Sequence, residues 1–311
     1  MPVGKVSGTI LKRSVVNLLK CPPRTAVDAA SAECGENRIL AASAVGLTDC
    51  VIAPDLAVIK AANNIWVSGG ELLMMEASFI LPKSYNEYQL KAYTKRIKAA
   101  CEVCGTTLAG GHTEVTDAVK RFCVSVTAVG IANGNIPSIH NVKAGMDIVV
   151  TKWIGLEEIA MIMSCQDKVD ELKGRFTEEY LEPAMHYSEW LTVKEEADIA
   201  VHNGVAAIHD ISDGGIFRAL WEFAEGSGKG FDIDLRAIPV RQETIEIAEF
   251  FHINPYMMKS SGSVIIACED GDSLVKAMEE SGIPAYIIGK VTDNNAKVLR
   301  NEDEVRYLDK M

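Results

Sequence analysis

Two periods of apolar spacing share the first half of the chain. RILAAS (38–43), ELLMMEASFIL (71–81) and RFCVSVTAVGIA (121–132) carry β-forming apolar residues and read as strands. DLAVIKAANNIWVSGG (55–70) reads as a helix in its first part, and YNEYQLKAYTKRIKAACEVC (85–104) spaces its apolar residues for one helix face. Between that helix and the strand after it lies AGGHTEVTD (109–117), which reads as a turn crowded with glycine, hydroxyl, imidazole and carboxylate groups.

NGNIPSIHNVKAGMD (133–147), rich in Asn, Gly and Pro, marks a domain junction near residue 140, giving domains of 1–140 and 141–311. Beyond it DIVVTKW (147–153) reads as a strand and IGLEEIAMIMSC (154–165) as a helix, and acidic helices follow over 176–204. AAIHDISDGG (206–215) is a strand running into an acidic glycine turn, and IFRALWEFAEGSG (216–228) is a helix ending at Gly226 or Gly228. FDIDL and SVIIAC are further strands, SLVKAMEESG a helix, and AYIIGKVT (285–292) the final strand. The fold class is therefore α/β in the broad sense, two α+β layers with helices packed on a sheet in each half.

With 48% hydrophobic residues, the 311-residue chain can bury two ordinary cores and is not a disordered polymer. A net charge of −12, with Lys and Arg scattered, disfavours nucleic acid and anionic membrane as partners. No apolar run suits a signal peptide or a membrane span, so the expectation is a cytoplasmic protein. Its eight cysteines then read as reduced thiols. Cys101 and Cys104 form a CxxC that lacks a second pair, leaving small buried side chains near a helix end as the main reading and a zinc or redox role as the other.

Carboxylates stand beside glycine in AGGHTEVTD, in HDISDGG (209–215) and, more weakly, in TAVDAASAECGENR (25–38). Magnesium takes hard oxygen ligands shared between carboxylates and phosphates, and glycines let a backbone approach those phosphates. Solvated acidic loops have the same composition, so residue types alone leave both readings open.

DLAVIKAANNIWVSGGELLMMEASFILP, AGGHTEVTDAVKRFCVSVTAVG, TKWIGLEEIAMI, HDISDGGIFRALWEFAEGSGKGFDIDLRAIPV and SSGSVIIACEDGDSLVKAMEESGIPAYIIGKVT, in this order, resemble the AIR synthase-related superfamily. That group includes aminoimidazole ribonucleotide synthase, thiamine monophosphate kinase, selenophosphate synthetase and HypE, and the nearest likeness is to HypE and AIR-synthase-like relatives. The resemblance implies an N-terminal domain whose strands form a barrel across a homodimer, a C-terminal α+β domain over it, and ATP with magnesium in the cleft between domains. The reaction implied activates an oxygen of an unidentified small molecule by phosphoryl transfer or dehydration.

Carried over residue by residue, the resemblance gives Glu114, Asp210 and His112 as catalytic candidates. Asp28, Asn64, Gly110, Gly111, Thr113, Gly214 and Gly215 become nucleotide-binding candidates, and Glu114, Asp210 and Asp213 metal ligands. His112 is read either as a donor to phosphate or as a structural histidine. Ser43 and Asn64 stand where relatives have aspartates, which lowers the expected magnesium affinity; Asp49 or Asp55 could compensate, though a solvent-facing role suits them better. His209 reads as a core or surface histidine because it adjoins Asp210 on a strand, and Lys152 as a surface lysine that could reach the cleft. The last cysteine, Cys268, lies in a strand-like segment, so the carbamoyl chemistry that HypE runs on a terminal cysteine is not expected. A noncatalytic dimeric binding or scaffold protein remains the competing class.

Overall fold

The computed structural model describes residues 6, 10, 12–19, 28–47, 50–134 and 136–309, and these build two mixed sheets. The first contains β1 (Ala30–Cys34), β2 (Asn37–Leu47), β3 (Glu71–Pro82), β4 (Leu108–Thr116) and β5 (Cys123–Asn133), in the order β1-β2-β5-β3-β4. β3 and β4 are parallel; the other pairs are antiparallel.

Helix α1 (Ala53–Val67) starts with proline in its first turn and buries residues on every side. Such a helix needs cover all round, and it lies between the first sheet and elements of the second half. Helix α2 (Glu87–Val103) is amphipathic instead, opened by a capping box between Asn86 and Gln89, and makes the crossover from β3 to β4.

AGGHTEVT is strand β4 and not a turn. It lies on the sheet edge, exposed along nearly its whole length, so it has none of the alternation that betrays a half-buried strand. Likewise β1, inside a segment read as a loop, pairs with β2 through a turn at Gly35 (φ 64°).

In the second half, β6 (Asp147–Thr151) is followed by helices α3 (Leu156–Met163), α4 (Gln166–Lys173), α5 (Glu178–Met185) and α6 (Lys194–His202). Strand β7 (Ala207–Asp210), helix α7 (Gly215–Ser227), strand β8 (Gly230–Asp234) and helix α8 (Gln242–Phe250) come next. β9 (Val264–Cys268), α9 (Gly271–Glu280), β10 (Ala285–Thr292), β11 (Lys297–Asn301) and β12 (Glu304–Tyr307) close the order. AYIIGKVT is therefore not the last strand: the hairpin β11–β12 extends the sheet, whose order is β12-β11-β8-β10-β6-β9-β7. Gly226 lies inside α7, and Gly228 ends it in the left-handed conformation (φ 66°).

β7 is last in its sheet, yet all four of its residues are buried because α1 packs against it. This covered edge brings the two halves together. Asn63 fastens them: its amide donates to the Leu191 carbonyl (2.9 Å) and accepts from the Val193 N–H (3.2 Å). No helix among the described residues is long and apolar enough to cross a membrane.

Candidate functional site at the junction of the two sheets

Charged side chains from distant segments meet where β7 abuts α1. His209 on β7 donates from Nδ1 to Asp28 Oδ2 at 2.9 Å, and its Nε2 lies 3.6 Å from Glu222 on α7. Arg218, one turn earlier, donates to the other oxygen of Glu222 (3.0 Å). Lys60, the single lysine of α1, reaches Glu157 on α3 (3.1 Å) and Asp213 in the turn before α7 (3.0 Å). Lys259 lies 3.9 Å from the other oxygen of Asp213. Asp210, beside His209, is buried and its Oδ1 has no hydrogen-bond partner among the described residues; the same holds for Glu157 Oε2.

Such burial is costly unless charges pair, and here pairing decides the protonation states. Burial alone would depress the His209 imidazolium, but the Asp28 carboxylate, with Glu222, overrides it and lifts the group to about 10. For Asp210, burial first and then the Asp28 charge push the carboxyl up to about 7, against the pull of Lys60 and His209. Burial would likewise lower Lys60, yet Glu157 and Asp213 raise it well above the ordinary lysine value. The five carboxylates named here face four cations, so the proton that Asp210 keeps near neutrality balances the cluster.

His209 is thus neither a surface group nor an apolar-core histidine. The rule that successive strand residues face opposite environments fails at β7 because both of its faces are interior. Lys60 and Glu157 were not read from the sequence at all; the available signal was a lone lysine in a helix otherwise apolar on all sides. Lys152 also departs from its surface reading. It is buried with φ 55°, paired to Glu196 and donating to the carbonyls of Trp190 (3.0 Å) and Thr192 (2.8 Å).

The remaining candidates lie elsewhere. Strand register places Ser43, Thr127, Glu76 and Gly110 in one row across the first sheet, Val45, Ser125, Ser78 and His112 in the next, and Leu47, Cys123, Ile80 and Glu114 in a third. These rows form the face opposite the buried row of Ala42, Ala128 and Met75. Here Ser43 bonds Thr127 (2.9 Å), and His112 lies 3.4 Å from Glu114, both exposed.

Thr113 is exposed at the edge, and a Cβ at Gly110 would make only an ordinary contact with Glu76 Oε1 at 3.7 Å. Gly111 (φ 148°) has a structural reason: a Cβ there would lie 1.8 Å from the Ala77 carbonyl oxygen. Gly215 (φ 65°) also faces backbone, a Cβ there lying 2.5–2.7 Å from atoms of Tyr256 to Met258, while at Gly214 (φ 91°) the Arg218 side chain stands in the way. Asn64 is half-buried on α1, and Asp55 is held by Arg96 in a two-pronged ion pair. Asp49 lies outside the described residues.

The expected metal set is not assembled. Glu114, on the exposed edge strand, does not join Asp210 and Asp213, and no group of three His, Cys, Asp or Glu side chains among the described residues could hold a metal ion. Cys101 and Cys104 are both buried, and burial raises both thiols, Cys104 to about 12. These are poor metal ligands and poor nucleophiles.

Residues 28–132 match the AIR synthase related protein N-terminal domain, and residues 143–300 the C-terminal domain of the same family. The chain belongs to the AIR synthase related family. Among relatives, it is 26% identical over 251 residues to a Methanocaldococcus jannaschii protein named for hydrogenase expression and formation, covering 78% of this chain and 71% of the relative. It is 25% identical over 246 residues to the carbamoyl dehydratase HypE of Cupriavidus necator, covering 77% and 67%.

Solved structures of the family share the fold at lower identity. HypE from a HypE–HypF complex superposes with a TM-score of 0.78 at 18% identity, over 98% of this chain and all of that one. HypE in complex with ATP gives 0.74 at 17% identity, over 99% and 96%. A thiamine monophosphate kinase homologue, AaThiL, complexed with AMPPCP and TMP, gives 0.74 at 16%, over 99% and 98%.

Proposed function

We propose that this chain is a nucleotide-binding member of the AIR synthase related family. In this reading it takes ATP at the junction of its two sheets and activates an oxygen of a small molecule by phosphoryl transfer or dehydration. The observation that carries the reading is Asp210, a carboxyl with one buried oxygen that has no partner among the described residues, pushed up to about 7 by burial beside the ion pairs of Asp28–His209 and Lys60–Glu157. A carboxyl in that state can accept or return a proton at a substrate oxygen. Lys60, Lys259 and Arg218 supply positive charge toward phosphate, and the backbone N–H groups opening α7 at Gly214 add donors. Solved structures of HypE in complex with ATP and of AaThiL complexed with AMPPCP support the choice of nucleotide.

Among the described residues no three His, Cys, Asp or Glu side chains converge, so magnesium in this reading is shared between one or two carboxylates and the nucleotide phosphates. His112, Thr113 and Glu114 would serve the same site only as a second wall contributed through a homodimer. The outward rows holding Val45 and Leu47, 59% and 50% exposed, are the surface that would pair. A second reading, a dimeric binding or scaffold protein without catalysis, is favoured by the way Asp28, Glu157 and Asp213 are already neutralised by this chain's own side chains.

Calorimetry with ATP, followed by an ATP hydrolysis assay on wild type and Asp210→Asn, separates the two. ATP binding with hydrolysis lost in Asp210→Asn is the expected result. Binding without turnover in either form supports the scaffold reading, and absence of binding at millimolar ATP ends the nucleotide reading. Light scattering on wild type and Leu47→Glu tests the pairing face.

A further inference from the structure

We infer that the ammonium groups of Lys60 and Lys259 are the resident cations of the Glu157–Asp213 cluster, occupying the place a divalent ion would take between those carboxylates. This goes beyond the nucleotide reading and does not depend on it.

Charge and geometry agree. Glu157 and Asp213 carry two negative charges, and the two lysines return two positive ones, the same balance a divalent ion would supply. Lys60 Nζ sits 3.1 Å from Glu157 and 3.0 Å from Asp213, at hydrogen-bond distance to both. The ammonium thus already fills the space between the two carboxylates. Glu157 and Lys60 are both largely withdrawn from water, 3% and 13% exposed, so this carboxylate needs a permanent partner in every state of the folded chain.

Position strengthens the argument. Lys60 stems from α1 in the first half, Glu157 from α3 and Asp213 from the turn before α7 in the second. A lysine that is covalently part of the chain closes this junction whatever the metal content of the medium. Of the other nearby carboxylates, Asp28 is engaged by His209 and Glu222 by His209 and Arg218, while Asp210, whose carboxyl burial pushes up to about 7, keeps one oxygen without a partner among the described residues.

The test uses manganese as the probe, without nucleotide, so that its result is independent of ATP binding. Electron paramagnetic resonance and thermal melting are recorded with manganese for wild type, Asp213→Asn, Lys60→Met and the double variant Lys60→Met/Asp213→Asn. Wild type is expected to bind no manganese at this cluster, with identical curves for wild type and Asp213→Asn and no melting shift in millimolar manganese.

Lys60→Met should gain manganese affinity by at least about tenfold, because Glu157 is then left without its cation and Asp213 keeps only the more distant Lys259, and its melting point should rise with the metal. Asp213→Asn on that background should abolish the gain. Recovery of soluble Lys60→Met only when manganese is present supports the inference equally. Wild-type binding that Asp213→Asn removes overturns it, as does a folded Lys60→Met that gains no manganese. If Lys60→Met is not recovered under either condition, the comparison of wild type with Asp213→Asn decides.

Discussion

Replacing Asp210 by asparagine should make the protein more stable, and increasingly so as pH rises. The carboxyl is raised from 3.8 to about 7, some three pKa steps at about 1.4 kcal/mol each, so holding the ionised form in the folded state costs about 4 kcal/mol relative to the unfolded chain. The sign follows from where the proton binds more tightly. An acid whose folded value is raised keeps its proton longer in the folded state, so wild type loses stability as pH climbs from about 4 to about 7 and levels off above. Asparagine has no such charge and does not take part in the decline. His209 keeps its proton through this whole window, so the change is not confounded by its neighbour.

Urea unfolding at a series of pH values, read as the difference between variant and wild type, isolates the effect. Between about pH 5 and about pH 8 that difference should grow by about 2–3 kcal/mol in favour of Asp210→Asn, with little change in the urea slope. The reasoning fails if the difference is flat with pH, or if the variant loses ground as pH rises. Either result would mean that Lys60 and His209 stabilise the Asp210 anion more than burial and Asp28 oppose it. A variant that gains stability while losing function is the pattern expected of a site held ready for a ligand.

His209→Gln should destabilise the fold by about 3–5 kcal/mol below about pH 6.5, because it strands the buried Asp28 carboxylate. That gap should narrow between about pH 6.5 and 10, since the imidazolium, lifted to about 10, loses its proton as pH rises through that value; thermal melts at matched pH check both points. Gly111→Ala should lower the melting temperature markedly, its Cβ colliding with the Ala77 carbonyl, while Gly110→Ala, whose Cβ meets only the end of the Glu76 side chain at 3.7 Å, should change it little.

How far the sequence discloses this protein depends on the range of the interactions that set each feature. The central strands were legible: β5 alternates buried and half-buried residues along its length, and β9, buried on both faces, is the continuous apolar run VIIAC. Strand β4 was not, because an exposed edge imposes no pattern on its residues, and its glycines and hydroxyls then resemble a turn. The site divides in the same way. HDISDGG carried Asp210 and Asp213 in a recognisable local string, so both were named.

Lys60 and Glu157, which join Asp213 in the cluster, sit far from it along the chain, and no local periodicity records a salt bridge between residues 60 and 157 or a hydrogen bond between 28 and 209. The same distance explains His209. Alternation assigns one side of a strand to solvent, but the cover over β7 is supplied by α1, about 150 residues earlier, so a histidine read as incidental becomes a buried cation. Glu114 shows the reverse case. Its motif is conspicuous, yet register turns it to the face of the first sheet away from α1, so within one chain it stands apart from Asp210. What it does must depend on what that outer face meets.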